Sequence, residues 1–234
     1  MPGSKGKKPR AAKRAVVLLS GGLDSAVCLY WALARGYKCS ALNISYGQRH
    51  NKETACAKAL CKKTGAEFVH INLPMPWLAG ATSLVGNAKL PDTPLADIKN
   101  ADKIPSTYVP ARNLVFMALA ASLADAIGAD AVIAGPNAVD YSGYPDCREQ
   151  FYKPLALAVK EGTRPLSNGG TIKILTPLIK MSKAQIAKLA FKLAVPVQMT
   201  WTCYKGAQKP CGKCDACKLR DEGFKKSGLK DPLL

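Results

Sequence analysis

An α/β fold, with a mostly parallel twisted sheet and helices on both of its faces, is what the sequence predicts, and three observations predict it. Short apolar runs alternate with stretches of helical length and period. A glycine-rich turn stands between the first such run and the first such helix. The helical stretches span about ten to fifteen residues, the length of the crossovers that force neighbouring strands to run parallel. Residues 15–19, Ala-Val-Val-Leu-Leu, read as the first strand; Ser20-Gly21-Gly22 breaks it, and residues 25–35 continue helically. A second unit follows, with residues 39–44 as strand, a polar turn at 46–50, a helix over 52–64 and a third strand over 67–71. Residues 74–110 hold six prolines and little periodicity, which is long for a connection and reads as a functional lid. Order returns with an alanine-rich helix over 113–127, a strand at 131–134, a turn-rich segment from 135 to 147, a strand at 172–175 and a helix at 182–193.

With 234 residues, 48% of them hydrophobic, the chain can bury one substantial core. The expected organisation is a basic, disordered tail over 1–13, a nucleotide-binding body over 14–200 and a four-cysteine module over 201–234 packed on that body. No run of eighteen or more apolar residues occurs and no signal-like stretch precedes the first strand, so membrane partners are not expected. Five of the nine cysteines are scattered singly, which argues against a disulfide framework and for a reducing, cytoplasmic setting. The net charge is +18, and Lys5, Lys7, Lys8, Arg10, Lys13 and Arg14 contribute six of those charges, leaving twelve on the rest. Such a field attracts phosphates, nucleotides or nucleic acid without identifying which.

Ser20-Gly21-Gly22-Leu23-Asp24-Ser25 lies between an apolar strand and a helix, the context in which backbone N–H groups converge on an anion. The helix dipole favours negative charge there, and Ser20 and Ser25 add hydroxyl donors. Asp24 would repel a bare phosphate, so its presence points to a bridging Mg²⁺ and hence to a nucleotide with its metal. The loop lacks the Walker lysine and does not fit the dinucleotide fingerprint. Strand-SGGxDS-helix resembles the PP-loop of the N-type ATP pyrophosphatases, which split ATP between its α and β phosphates to adenylate a substrate. That likeness implies the adenine nucleotide alpha-hydrolase-like form of the α/β fold and binding of ATP by Leu19, Ser20, Gly21, Gly22, Leu23, Asp24 and Ser25.

Cys203, Cys211, Cys214 and Cys217 follow the spacing C-x7-C-x2-C-x2-C. Four thiolates within fifteen residues suit a tetrahedral ion, and one structural Zn²⁺ per chain is the expected occupant. An iron–sulfur cluster is the rival, disfavoured because the extra cysteine precedes the triplet and no Cys-Pro closes it.

Three further turns add detail: Tyr46-Gly47-Gln48-Arg49-His50, Val109-Pro110-Ala111-Arg112-Asn113, and Asp140-Tyr141-Ser142-Gly143-Tyr144-Pro145-Asp146-Cys147-Arg148. Together with the loop and the cysteines, in this order and at similar spacing, they resemble the 7-cyano-7-deazaguanine synthase family over residues 14–220. The resemblance implies conversion of 7-carboxy-7-deazaguanine and ammonia to the nitrile, at the expense of two ATP, through an adenylated acid and an adenylated amide. It implies catalytic roles for Ser20, Asp24, Ser25, Arg49 and His50, with His50 assisting proton transfer from ammonium. It adds Tyr46, Gln48, Arg112 and Asn113 to the nucleotide contacts, and places Asp140, Tyr141, Tyr144, Asp146 and Arg148 against the deazaguanine. It also implies a homodimer that needs no nucleic acid. Many family members carry Phe-Asp before the tyrosine of the first turn, whereas here the strand ends Asn43-Ile44-Ser45, so Asn43 or Ser45 would have to take over any role of that acid.

Each residue also has a plainer reading. Arg49 and Arg112 can grip a phosphate bidentately or simply cap an element. The aspartates of the third turn can read a base edge or only form the turn. His50 can make a single backbone bond, and Cys147 can be packing. Three alternatives remain open at this level: a tRNA thiolase built on the same loop, a related adenylating enzyme acting on another acid or a protein, and a zinc-stabilised nucleic-acid-binding module.

Overall fold

The computed structural model describes residues 12–98, 104–138, 143–166 and 169–233. Five strands form one sheet in the order β3-β2-β1-β4-β5: β1 Arg14–Leu18, β2 Lys38–Ser45, β3 Glu67–Asn72, β4 Ala131–Ile133 and β5 Lys173–Leu175. All four pairings are parallel, with Val16 of β1 beside Ser40 of β2 on one side and Val132 of β4 on the other. A parallel sheet needs cover on both faces, and the central strand shows it: Ala15, Val16 and Val17 are fully buried.

Alternation along the strands divides the core into two layers. On one face Ala15, Val17, Ala41 and Ile133 pack with α1 Leu23–Leu33, α2 Lys52–Thr64 and a later helix over Lys183–Lys192. On the other, Val16, Leu42, Ile44 and Val132 meet Met117, Ala120 and Ala124 of a helix over Arg112–Ile127, and Tyr152, Leu155 and Val159 of one over Glu149–Gly162. A single turn, α3 Leu95–Ile98, precedes these, so the four longer helices are α4 Arg112–Ile127, α5 Glu149–Gly162, α6 Lys183–Lys192 and α7 Asp215–Ser227.

The expected strands and helices all form, with ends displaced by one or two residues. Within the segment between 147 and 172, for which the sequence offered no element, lies α5, an amphipathic helix that carries Pro154 in its interior. The last helix, α7, starts inside the cysteine cluster and places Phe224 in the main core beside α1 and α6. Its Gly223 lies against α6 so closely that a Cβ there would stand 2.6 Å from the Cβ of Lys183. The proline-rich stretch is not free either. Its Thr93 donates from N and Oγ1 to Asp215, at 3.0 and 3.1 Å, while Lys218 donates to Asp92 at 2.6 Å.

Arg220 of α7 holds the end of the chain in place. Its guanidinium makes two bonds to Asp231, at 2.6 and 3.0 Å, and reaches Thr200 and Thr202 at 2.9 and 3.0 Å. Both members of the pair are buried, with 4% of each side chain exposed. Removing one partner strands the other charge out of water. Asp231→Ala is therefore expected to lower the unfolding free energy by about 3 kcal/mol or more. An Arg220→Leu, Asp231→Leu double variant should recover much of that loss, as read from denaturant midpoints.

Candidate active site

The strand order reverses beside β1, where α1 after β1 and α5 after β4 leave for opposite faces, and crevices of such sheets open beyond the strand C-termini at that point. A cavity of about 390 Å³ lies there, of a size that takes a nucleotide-like ligand. Ser20 and Asp24 after β1, Tyr46 and Gln48 after β2, and Gly135 and Asn137 after β4 line it.

The loop after β1 is shaped by its own hydroxyls. Gly22 N donates to Ser20 Oγ at 3.1 Å, and Gly21 N to Ser25 Oγ at 3.3 Å. Ser25 gives its own proton to Gly22 O at 3.0 Å, so Ser20 is the donor in the 3.0 Å contact between the two hydroxyls. Gly21 turns with φ of +101°, and its α-carbon sits where a Cβ would stand 2.0 Å from the Glu53 carbonyl oxygen of α2. Any other residue would push α2 away from the loop. Gly21 O also accepts from Trp201 N at 3.0 Å, so the segment leading to the cysteines is tied to the same turn.

Asp24, in the first turn of α1, is paired with Lys183 at 2.5 Å. Lys183 is a cavity residue with no local motif to mark it as one; it supplies a cation where the loop has no lysine of its own. The Ser182/Gln185 capping box signals only that it is the first residue of α6. Glu53 is likewise unmarked in the sequence. It lines the cavity from the first turn of α2, and burial pushes its carboxyl up to about 7 against the opposing charge of Arg112.

Of the residues singled out from sequence, Leu19, Ser20, Gly22, Leu23, Asp24, Ser25, Tyr46, Gln48, Arg112, Asn113 and Tyr144 line this one cavity. Arg112 donates to the Tyr46 hydroxyl at 3.3 Å and lies over its ring. Tyr144 bonds Thr107 through its hydroxyl at 2.6 Å. Asp140 and Tyr141 fall outside the described residues.

Others sit elsewhere. Asp146 is buried and accepts from Asn113 N at 3.1 Å, capping α4 from outside because Ala111 at the helix start has no side chain that can. Arg148 is the N-cap residue of α5. Arg49 donates to Ala88 O in the proline-rich stretch, and His50 Nε2 is 3.0 Å from Cys203 O, so both clamp neighbouring segments and neither lines the cavity. Asn43 lines the cavity, but it spends both ends of its amide, on Leu19 O at 2.7 Å and on His70 at 2.9 Å, and thereby fixes the end of β1. Cys147 does line the cavity, but burial, with Asp146 next, pushes its thiol up to about 11 and keeps it protonated.

The Sγ atoms of Cys203, Cys211, Cys214 and Cys217 all lie within 4.8 Å of one another. Backbone N–H groups already point at two of them, Cys211 N to Cys203 and Cys214 N to Cys211, at 3.3 and 3.4 Å, which suits sulfurs carrying negative charge. The donor set fits a tetrahedral thiophilic ion.

A family model described as queuosine biosynthesis protein QueC matches residues 14–228. The chain is 45% identical over 221 residues to a 7-cyano-7-deazaguanine synthase of Acetivibrio thermocellus, covering 94% of this chain and 97% of that protein. To the 7-cyano-7-deazaguanine synthase of Acinetobacter baylyi it is 42% identical over 234 residues, covering 99% and 97%. A solved NMN synthetase from Francisella tularensis shares the fold, with a TM-score of 0.50 at 19% identity over 94% of this chain and 79% of that one.

The two loop glycines should differ under substitution. Gly21→Ala is expected to cost several kcal/mol in thermal unfolding and to abolish ATP binding by calorimetry, since it meets both the positive φ and the α2 backbone. Gly22→Ala, whose nearest neighbour would be Ser20 Oγ at 3.3 Å, should leave folding within about 1 kcal/mol of the parent.

Proposed function

The chain belongs to the QueC family of queuosine biosynthesis proteins, and from that premise we infer an ATP-dependent, C–N bond-forming enzyme that converts 7-carboxy-7-deazaguanine and ammonia to 7-cyano-7-deazaguanine. One observation carries the reading at residue level: the phosphate loop and Tyr144 of the Asp140–Arg148 turn line the same cavity, so a nucleotide and a planar acid can meet there.

The loop of Ser20 to Ser25, at the positive end of α1, receives the two outer phosphates of ATP as the leaving group. Lys183 and Arg112 border the same space and offset the charge that builds up as the carboxylate oxygen attacks the α-phosphorus. Ammonia then displaces AMP to give the amide. Activation of the amide oxygen by a second ATP, followed by loss of AMP, leaves the nitrile. Tyr144 and Asp140 with Tyr141 hold the deazaguanine, and the Arg49 and His50 clamps keep the cover over the cavity closed against water.

Mg²⁺ fits beside Asp24, whose carboxylate with phosphate oxygens makes an all-oxygen donor set; bound there it would neutralise phosphate charge. Zn²⁺ is the ion we assign to the four cysteines, where it would add folding energy. The chain comprises a basic tail over 1–13, a nucleotide-binding body over 14–200 and a cysteine module over 201–234 docked on it. We place it in the cytoplasm as a homodimer acting on small molecules, with no membrane or nucleic-acid requirement. Nine unpaired cysteines support the reducing compartment, and exposed Trp77 and Leu157 offer apolar surface for a second copy. A thiolase needs a reactive thiol beside the nucleotide, and the protonated Cys147 speaks against one.

Two outcomes are expected. Purified protein given ATP, Mg²⁺, ammonium and 7-carboxy-7-deazaguanine should release two AMP and two pyrophosphate per nitrile, and almost none without the acid; acid-independent ATP use would refute the reading. Elemental analysis should find one zinc per chain, and stripping it with a chelator should lower the thermal midpoint in wild type far more than in a Cys214→Ser variant, which starts low.

A further inference from the structure

Resting on that function, we propose that Glu53 is the general base of the nitrogen chemistry: it takes a proton from ammonium before attack, and takes protons from nitrogen as the amide is made and then dehydrated. The reaction requires such a group. Ammonium has no lone pair to attack the acyl adenylate, so one proton must leave before the C–N bond forms and the C–O bond to AMP breaks. A second leaves the new amide nitrogen. Once the amide oxygen is adenylated, both remaining N–H protons must go as the C–O bond breaks and the C≡N bond forms, with AMP carrying the electron pair away. Glu53 returns each proton to water between steps, so no further reactant is needed.

Four observations select Glu53. The first turn of α2 is packed directly on the phosphate loop, with the Glu53 backbone against Gly21, and its side chain lines the cavity. Of the carboxylates lining that cavity, Asp24 is paired with Lys183 and Asp215 accepts two bonds from Thr93, whereas no hydrogen bond or ion pair among the described residues engages Glu53. The chain has two histidines, and neither is available: His50 is bonded to Cys203 O and His70 to Asn43, and neither lines the cavity. Finally, burial holds the Glu53 carboxyl at about 7, close to the working pH at which a base is most effective.

A partly desolvated carboxyl that makes no bond among the described residues adds nothing to folding and costs solvation, a cost more readily understood at a reacting centre than in a scaffold. Charged groups sharing its cavity include Asp24 and Lys183, paired with each other, and Asp215, which accepts from Thr93. Arg112 of α4 draws its pKa down and is itself bonded to Tyr46; on its own helix lie Lys52, which bonds Ala207 O, and Cys56; Arg220 of α7 is neutralised by Asp231.

Glu53→Gln and Glu53→Asp test the assignment in the full-length, metal-loaded enzyme. Acid-dependent ATP–pyrophosphate exchange without ammonium reports adenylation alone, while amide and nitrile formation report the proton transfers. Glu53→Gln is expected to lose about 100-fold or more in amide and nitrile formation and far less in exchange, with Glu53→Asp recovering part of the rate. The wild-type rate of amide formation should rise with pH to a plateau through a pKa near 7, a limb absent in Glu53→Gln.

Stability gives a second readout. The folded carboxyl titrates near 7 and the unfolded one near 4.5, so the folded state binds the proton more tightly, and wild-type stability should fall relative to Glu53→Gln as pH rises between those values. Equal losses in exchange and amide formation, or amide formation by Glu53→Gln at the wild-type rate, would overturn the assignment while leaving the overall reaction intact. A wild-type enzyme without acid-dependent exchange would overturn both.

Discussion

The close approach of α2 to the loop after β1 is the constraint on which the rest of the site depends. With no side chain at Gly21, the first turn of α2 comes within van der Waals distance of the loop backbone. That one contact fixes where three other things go. Glu53 is carried into the cavity by the same turn, and the preceding His50 reaches Cys203 O at 3.0 Å. Trp201 closes the loop from the other side through its N–H to Gly21 O, and Lys52 lies over its ring. The phosphate loop and the cysteine cluster, far apart in sequence, are thus two ends of one bonded path.

Sheet topology explains why chemistry collects at this end. Strands β1 and β4 are neighbours whose following helices depart to opposite faces, so their C-terminal ends leave a gap that no helix among the described residues fills. The gap is roofed by a long proline-rich connection that would be costly to hold without partners. It has them: Leu78 is fully buried against Tyr46, Met75 and Val109, and Thr93 is held by Asp215 at the start of α7. The cysteine segment therefore stabilises the cover as well as the chain end, a coupling through which an ion held by the four cysteines would matter to the site.

Local patterns in the sequence were enough for the repeating βα units, the phosphate loop and the cysteine spacing, because each is set by neighbouring residues: apolar alternation, a Gly-Gly turn, ligands within one short segment. What escaped was set by distant partners. Helix α5 was hidden by Pro154, which breaks the usual signature yet is tolerated within an amphipathic helix packed on the sheet through Tyr152, Leu155 and Val159. The beginning of α7 coincides with Cys214 and Cys217, so the cysteine spacing masked helical period. Asp146 reads locally as a turn or a base contact, whereas it caps α4, a role visible only once Ala111 is known to leave that helix end bare. Lys183 and Glu53 are ordinary helix-start residues in sequence, and only packing brings them to the phosphate loop. His50 shows the reverse, an eye-catching residue in a conspicuous motif whose ring lies outside the cavity with Nε2 on a carbonyl.

The central claim is that this cavity joins an acid oxygen to the α-phosphorus of ATP while the loop holds the departing pyrophosphate. It is tested most directly by following oxygen atoms. With both carboxyl oxygens of 7-carboxy-7-deazaguanine labelled with ¹⁸O, mass spectrometry should find one ¹⁸O in each AMP released and none in pyrophosphate. AMP carrying only solvent oxygen, or label in pyrophosphate, would contradict it.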